Sequence, residues 1–167
     1  MNIRPETADD HEAIRNVVRA AFGRDDEARL VDALRDEGYV RTSLVAMEAG
    51  RVAGHILFSE LTIVAADGPI AALALAPLAV APGRQRRGIG SALVRHGLDV
   101  CREQGQRIVV VLGERRFYER FGFSPTLARP LESPFSGESW LATELAPGAL
   151  AGIRGRVQYA RPFLALG

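Results

Sequence analysis

One segment in the middle of the chain constrains both fold and function more than any other. An apolar run ends at Leu78-Ala79-Val80, and a loop rich in glycine and arginine follows Pro82 and leads into an amphipathic run that begins near Gly88. Glycine lets successive backbone N–H groups turn toward one anion, and a helix N-terminus adds favourable partial charge. The pattern therefore predicts a strand, a tight loop and a helix that together form a cradle for a diphosphate.

The residues of this loop exclude the two commonest phosphate-binding motifs. A Walker loop requires GxxxxGK[ST], but all 21 basic residues of this chain are arginine. A dinucleotide fingerprint requires GxGxxG, but Gly88 and Gly90 are followed by Leu93 where the third glycine should stand. Arginines before Gly88 can neutralise phosphate charge. Taken without its flanking strand and helix, the same loop could equally be a solvated surface turn.

Length and charge predict one globular domain over residues 1–167 that binds neither nucleic acid nor membrane. The 167 residues fit a prior of about 150 per domain, and the net charge is only +1, without a basic block. The longest uncharged stretch, 68–83, contains three prolines and falls short of the about 20 apolar residues of a spanning helix. The N-terminus MNIRPETADD has acidic residues where a signal peptide is apolar, so we expect a cytoplasmic protein.

Periodicity predicts a mixed order of helices and strands. A helix runs from Thr7 to Gly23, and Ile14, Val17 and Val18 lie on its apolar face. Pro77 interrupts an otherwise apolar strand and removes a ladder donor there, so we expect that strand to bulge or splay. The remaining predicted elements are a strand at Ile3–Pro5, a helix at Asp26–Glu37, strands at Ser43–Met47, Val52–Val64 and Ile70–Val80, a helix at Gly88–Gln104, a strand at Arg107–Leu112, a short helix at Arg115–Phe121, and strands at Trp140–Leu145 and Val157–Ala160.

The loop residues Gln85-Arg86-Arg87-Gly88-Ile89-Gly90 match the motif Q/R-x-x-G-x-G/A, and on this segment the chain resembles the GNAT superfamily of acyl-CoA N-acyltransferases. The resemblance implies that backbone N–H groups of this loop bind the pyrophosphate of coenzyme A. It also implies that the preceding strand pairs with the pantetheine arm. The cofactor-binding residues implied in this way are Leu78, Ala79, Val80, Gln85, Arg86, Arg87, Gly88, Ile89, Gly90 and Ser91.

A second segment, Arg116 to Phe123, resembles the FYxxxGF segment of the same superfamily. In that family the tyrosine lies near the cofactor sulfur, so the resemblance implies that Tyr118 donates the proton to the departing thiolate. Taken alone, the segment could equally be an aromatic core cluster closed by a glycine. Gly113 and the late segments at Trp140–Leu145 and Gly155–Tyr159 are similar to the YhbS-like branch of predicted acetyltransferases.

The resemblance implies an α/β (α+β) fold with a mixed, mostly antiparallel sheet of about six or seven strands flanked by about four helices. It implies a splay between the strands at about 78–80 and 107–112. The implied activity is direct transfer of an acetyl group from acetyl-CoA, without a metal, to a primary amine of a small molecule or peptide. An alternative is a catalytically silent acyl-CoA-binding or sensing domain. Late strands of such folds often support a homodimer, which the sequence leaves open.

Two departures from the family pattern affect the expected chemistry. The strand Ile70–Val80 carries no carboxylate or histidine, so the general base is left open among Glu60, His55, Glu114 and water. Val111 stands where many relatives have an asparagine seven residues before the tyrosine, which leaves the pantetheine contacts on that side open. The scattered histidines have no partners at metal-ligand spacing, so we expect no metal site.

Overall fold

The computed structural model describes residues Met1 to Leu166, which form eight strands and five α-helices. The elements are β1 (Asn2–Pro5), α1 (His11–Phe22), α2 (Asp26–Asp36), β2 (Val40–Glu48), β3 (Arg51–Ala65), β4 (Gly68–Val80), α3 (Ile89–Glu103), β5 (Ile108–Leu112), α4 (Arg115–Tyr118), α5 (Pro125–Ala128), β6 (Leu131–Glu132), β7 (Trp140–Glu144) and β8 (Gly155–Tyr159). The strand order is β1-β2-β3-β4-β5-β7, and β8 pairs with both β3 and β6. The pairings of β4 with β5 and of β6 with β8 are parallel, and the other registered pairings are antiparallel.

The mixed α/β fold with a mostly antiparallel sheet is confirmed, and most of the predicted elements form within a few residues of their expected bounds. Local signals explain this agreement. Gly23 ends α1 in the left-handed region at φ 72°, and Ala49 and Gly50 close the β2–β3 hairpin at φ 51° and 75°. Glycine adopts such angles without steric penalty, so a glycine in the sequence indicates where α1 ends and where the β2–β3 hairpin turns.

The described residues divide into two compact units. The first comprises Met1–Ser59, Ala76–Val100 and the residues from Ala160 onward. Its apolar core joins α1 and α2 to β2 and β3, with Ile14, Leu34 and Leu57 nearly inaccessible to solvent. On α3, an ideal Cβ at Gly97 would lie 2.5 Å from Cε2 of Phe58, so this helix approaches its strand where it has no side chain.

The second unit comprises Glu60–Leu75 and Cys101–Tyr159. Here β5 pairs along its whole length with β7, from Ile108 opposite Glu144 to Leu112 opposite Trp140. The Trp140 indole is 3% exposed, and its Nε1 donates to the carbonyl of Leu131 at 3.1 Å. This hydrogen bond ties β7 to the short strand β6.

Three features differ from the predicted element list or add to it. The short elements α5 and β6 and a C-terminal 3-10 turn (Arg161–Ala165) were not among the predicted elements. The parallel register of β4 with β5 consists of two pairs, Leu73 with Val109 and Ala74 with Val110. The residues Leu78 to Val80 lie beyond that register, and the Ala76–Pro77 peptide is cis.

None of the helices within residues 1 to 166 is both long enough and apolar enough to cross a bilayer. Nor does the described part of the chain bring three or more histidine, cysteine or acidic side chains together as a metal would require.

Candidate active site

The predicted cradle lies in the first unit, between the end of β4 and the start of α3. A 3-10 turn (Pro82–Arg84) leads into the loop, and two residues there have left-handed backbone angles, Arg86 at φ 64° and Gly88 at φ 84°. The chain then enters α3, whose Ala92 N–H donates to the carbonyl of Gly88 at 3.0 Å. The first amides of a helix have no intrahelical acceptor, so this turn presents N–H donors and positive partial charge to an anion.

Close packing fixes the first turn of α3 behind the loop. Ile89 is 2% exposed, and an ideal Cβ at Gly54 on β3 would lie only 3.0 Å from its Cγ2. The same Cβ would lie 3.0 Å from Leu93 and 3.1 Å from the carbonyl oxygen of Ala79. The absence of a side chain at Gly54 therefore lets the helix and the end of β4 sit close to β3. Such a rigid base preorganises the amides of the loop.

The charges of the loop are partly neutralised within the first unit. Glu48, at the end of β2, forms ion pairs with Arg84 and with Arg87, the second at 3.2 Å. Arg86 is exposed and forms no ion pair with any residue from 1 to 166. The Gln85 side chain donates from Nε2 to the carbonyl of Val80 at 3.2 Å, which ties the loop to the end of β4.

Tyr118 belongs to the second unit, where it occupies an aromatic cluster. Its ring is 8% exposed and forms edge-on contacts with Phe117 and Phe123, with ring centroids 4.9 and 5.6 Å away. Its backbone N–H donates to the carbonyl of Glu114 at 3.1 Å. The ring therefore fits the aromatic-core interpretation, and a functional role for Tyr118 depends on its hydroxyl group.

The Tyr118 hydroxyl has the properties of a proton donor. It has no hydrogen-bond partner among residues 1 to 166. It is also not fully buried, because the buried polar atoms without a partner do not include it. Burial raises the pKa of Tyr118 to about 12. The phenol therefore stays protonated at neutral pH and can donate to a group placed against it.

Of the candidate bases, His55 is sequestered in a polar network of the first unit. Its imidazole is fully buried, and Nε2 lies 2.8 Å from Oγ of Ser43 and 3.7 Å from Oε1 of Glu6. Burial lowers the pKa of His55, against the opposing effect of Glu6. Burial would raise the pKa of Glu6, but the nearby imidazole of His55 and hydrogen bonds from Arg35 and Ser43 hold that pKa well below its usual range. The network thus contains an ionised glutamate and a neutral histidine, and the imidazole of the histidine is inaccessible to solvent.

The other two candidate bases lie in the second unit. Glu60 is half-buried on β3. Glu114 is exposed immediately before α4, where its backbone carbonyl accepts the N–H groups of Phe117 and Tyr118. The general base stays open between these two carboxylates and water.

A large cavity in the second unit was not predicted from the sequence. It has a volume of about 900 Å³, within the range of ligand-binding sites. Its lining comes from the end of β3, from α4, α5 and β6, from the loop before β7 and the first residue of β7, and from the start of β8. No local pattern indicates this cavity, because its walls come from segments that are far apart along the chain, from Val64 to Arg156.

Comparison with known proteins assigns the chain to a family. The family model for an acetyltransferase (GNAT) domain matches residues 2–126. The chain belongs to the GNAT acetyltransferase family. It is 35% identical over 166 residues to an uncharacterised N-acetyltransferase, YhbS, from Escherichia coli K12, and the match covers 98% of each chain.

Two solved GNAT structures are similar to this chain over nearly its whole length. The crystal structure of Escherichia coli YhbS in complex with CoA matches with a TM-score of 0.91 and 34% identity, covering 99% of this chain and 93% of that one. A GNAT acetyltransferase from Brucella melitensis in complex with acetyl-CoA matches with a TM-score of 0.81 and 35% identity, covering 97% of each chain. The GNAT identification made from the loop and tyrosine motifs is confirmed.

Proposed function

We propose that the chain is an N-acetyltransferase that moves an acetyl group from acetyl-CoA directly to a primary amine of a small molecule or peptide. The observation that carries the proposal is the loop between β4 and α3, where Arg86 and Gly88 have left-handed backbone angles just before a helix begins. This geometry turns consecutive amides toward one anion, as a diphosphate requires. The CoA and acetyl-CoA complexes of the two similar GNAT structures support acetyl-CoA as the co-substrate.

In this proposal the cradle binds the cofactor mainly through its backbone. The loop amides bind the pyrophosphate, and Arg86, which has no ion pair among the described residues, adds positive charge. The end of β4 lies beyond the parallel register with β5, so its backbone groups are assigned to the pantetheine arm. The proposed cofactor-binding residues are Leu78, Ala79, Val80, Gln85, Arg86, Arg87, Gly88, Ile89, Gly90 and Ser91.

The reaction is acyl transfer without a covalent enzyme intermediate. The amine nitrogen attacks the thioester carbonyl carbon, a C–N bond forms, and the C–S bond breaks. The amine loses a proton to a base or to water, and the departing thiolate takes one from Tyr118. A phenol can protonate a thiolate when the two are hydrogen-bonded, even though its pKa is the higher of the two. A backbone N–H near Val80 is the proposed donor to the oxyanion.

The test combines binding with turnover in one preparation. Acetyl-CoA and adenosine diphosphate are titrated by calorimetry into the wild-type protein and into the variant Gly88→Glu. Release of free thiol from acetyl-CoA is then followed with a library of amines, for the wild type and for Tyr118→Phe. We expect micromolar binding of acetyl-CoA, much weaker binding of the diphosphate, loss of binding in Gly88→Glu, and slower transfer in Tyr118→Phe.

The outcomes of this test distinguish an acetyltransferase from a catalytically silent acyl-CoA-binding or sensing domain. Binding of acetyl-CoA without amine-dependent thiol release for any amine would replace the proposal with an acyl-CoA-binding or sensing domain. Absence of acetyl-CoA binding by the folded wild-type protein would refute both functions, because each depends on the same loop.

A further inference from the structure

The cavity of the second unit has an unusual balance of charge. Four arginines and two glutamates line it. Arg115 is already paired, with Glu138 at 2.8 Å and with Glu119 at 3.4 Å. The other three lining arginines, Arg129, Arg154 and Arg156, form no ion pair within residues 1 to 166.

A single further carboxylate lines the cavity, and it cannot neutralise all three arginines. Glu132 on β6 lies opposite Arg156 on β8 in the parallel register of these strands. Even if that pair formed, Arg129 and Arg154 would still have no ion-pair partner among residues 1 to 166. An arginine guanidinium presents a planar fork of donors that matches a carboxylate or a phosphate. The lining therefore favours an anionic ligand and repels a purely cationic one.

The same cavity also has an apolar wall. Phe135 is 36% exposed, with its ring centroid 6.1 Å from that of Trp140 and 6.2 Å from that of Tyr159. Leu131 and Val64 add aliphatic surface to the lining. A ligand with an apolar body as well as an anionic group can use both parts of such a site.

The cavity shares a helix with the proposed proton donor. Arg115 lines it and lies three residues before Tyr118 on α4. Residues three apart on a helix are neighbours, with Cβ atoms about 5–6 Å apart. The cavity is therefore bordered by the same short helix that carries Tyr118.

We propose that this cavity binds the acceptor, and that the acceptor is a primary amine carrying its own oxyanion, a carboxylate or a phosphate. This inference rests on the proposed acetyl transfer and narrows its substrate class. Arg129, Arg154 and Arg156 bind the oxyanion, and the wall around Phe135 contacts the apolar part. They are specificity-determining residues, because they discriminate between acceptors that share the same reacting amine.

The experiment uses pairs of amines that differ in the anionic group alone. L-Phenylalanine is compared with 2-phenylethylamine, 4-aminobutyrate with propylamine, and phosphoethanolamine with ethanolamine. For each compound, thiol release from acetyl-CoA gives kcat/KM, and ligand-observed NMR with CoA present gives binding independently of turnover. The first two pairs test a carboxylate and the third tests a phosphate.

We expect the anionic member of at least one pair to exceed its partner at least tenfold in both readouts. The variants Arg129→Gln, Arg154→Gln and Arg156→Gln should each lower that preference by about tenfold, mainly through KM. The matched control is Arg29→Gln, which removes an exposed arginine from α2 in the other unit and should leave the preference unchanged.

Three results would overturn the inference. The first is equal or better binding of the neutral member in every pair, and the second is binding of no member of any pair. The third is a preference that survives all three arginine variants. Acetyl-CoA calorimetry on the same samples identifies a failure of the proposed function separately. If acetyl-CoA binds and the neutral amines are acetylated at least as efficiently as their anionic partners, the acetyltransferase activity is supported and the anionic acceptor is refuted.

Discussion

Gly113 and Tyr118 are packed so closely that no side chain fits between them. An ideal Cβ at Gly113 would lie 2.5 Å from Cε2 of the Tyr118 ring and 3.0 Å from its Cδ2. The ring is fixed on other sides by Phe117 and Phe123, so it cannot swing away freely. Gly113 follows β5 directly and thereby determines where the Tyr118 hydroxyl is placed.

We therefore predict that Gly113→Ala lowers kcat for acetyl transfer about as much as Tyr118→Phe, roughly a hundredfold. The added methyl must displace the ring, which moves the hydroxyl from the position that we propose for proton donation. The measurement is thiol release at saturating acetyl-CoA, with calorimetry to show that acetyl-CoA binding is unchanged.

A double-mutant cycle supplies the control for Gly113. Once Tyr118→Phe has removed the hydroxyl, adding Gly113→Ala should reduce kcat little further, because both changes act on one group. If the two losses multiply instead, Gly113 acts through some route other than Tyr118.

A second prediction concerns the left-handed backbone at Gly88. Gly88 and Gly148 have similar angles, φ 84° and 77°, and neither would place a Cβ within 4 Å of another atom. An L-residue in this region costs about 1–2 kcal/mol, so Gly88→Ala and Gly148→Ala should lower the free energy of unfolding by similar amounts. Urea denaturation measures both.

The two alanine variants should differ in cofactor affinity. Gly88→Ala disturbs the cradle and should weaken acetyl-CoA binding by roughly tenfold, the equivalent of about 1.4 kcal/mol. Gly148→Ala lies in a turn of the second unit outside the cradle and should leave the Kd unchanged. Equal Kd values for the two variants would show that Gly88 does not contribute to cofactor binding.

The features that were predictable from sequence depend on neighbouring residues. The loop around Gly88 could be identified because the strand, the glycines and the helix that define it are contiguous. Likewise, the end of α1 was marked by Gly23. Helix periodicity alone placed Ile14, Val17 and Val18 in the core, where they are all buried.

Features built from distant residues were not predictable in the same way. Glu48 precedes Arg84 by 36 residues and Arg87 by 39, so no local sequence pattern indicates that it forms ion pairs with both arginines. His55 meets Glu6 only because β1, β2 and β3 are neighbours in the sheet. The arginine-lined cavity depends on the parallel pairing of β6 with β8, and β6 is a two-residue strand without a recognisable pattern.

The ion pairs of Glu48 lead to a third prediction. A carboxylate beside the loop repels the phosphates of a cofactor and competes with them for Arg84 and Arg87. Glu48→Gln should therefore lower the Kd for acetyl-CoA by about three- to tenfold at low salt. The gain should shrink as added salt screens the charges.

Calorimetric titration of acetyl-CoA at two salt concentrations measures this effect. Glu103→Gln removes an exposed carboxylate at the end of α3 and provides the charge-matched control. Weaker binding by Glu48→Gln would show that Glu48 organises the two arginines rather than competing for them.

A fourth prediction tests the contact between α3 and β3. Gly→Ala within a helix ordinarily stabilises it by up to about 1 kcal/mol. At Gly97 the new Cβ would lie 2.5 Å from Cε2 and 2.9 Å from Cζ of Phe58, which is itself inaccessible to solvent. We therefore expect Gly97→Ala to lower the free energy of unfolding by about 1–3 kcal/mol, as overpacked cores do.

The smaller side chain of Phe58→Leu should suppress this loss. In urea denaturation, Gly97→Ala should cost less stability in the Phe58→Leu background than in the wild type. Independent, additive losses would contradict the steric explanation, because the two residues would then not share the conflict.

The last prediction concerns stability at acidic pH. Hydrogen bonds from Arg4 to the Asp10 carboxylate, at 2.7 and 2.9 Å, lower the pKa of Asp10 to about 2 from an ordinary value of 3.8. The backbone N–H of Thr7 donates to the same carboxylate at 2.7 Å. A carboxyl group with a lowered pKa in the folded state stabilises it above the unfolded pKa, and this contribution is lost as the pH falls toward the folded pKa.

Asp10→Asn should accordingly lower the free energy of unfolding by about 1–2 kcal/mol at neutral pH, a figure kept small because Arg4 is partly exposed. The difference from the wild type should narrow as the pH falls from about 4 toward 2, where Asp10 itself becomes protonated. Urea denaturation over that range measures it.

Asp9→Asn, at an exposed neighbour without an ion pair in residues 1 to 166, should show no such trend. If the difference in the free energy of unfolding between Asp10→Asn and the wild type were the same at every pH, packing and not the ion pair with Arg4 would stabilise this site.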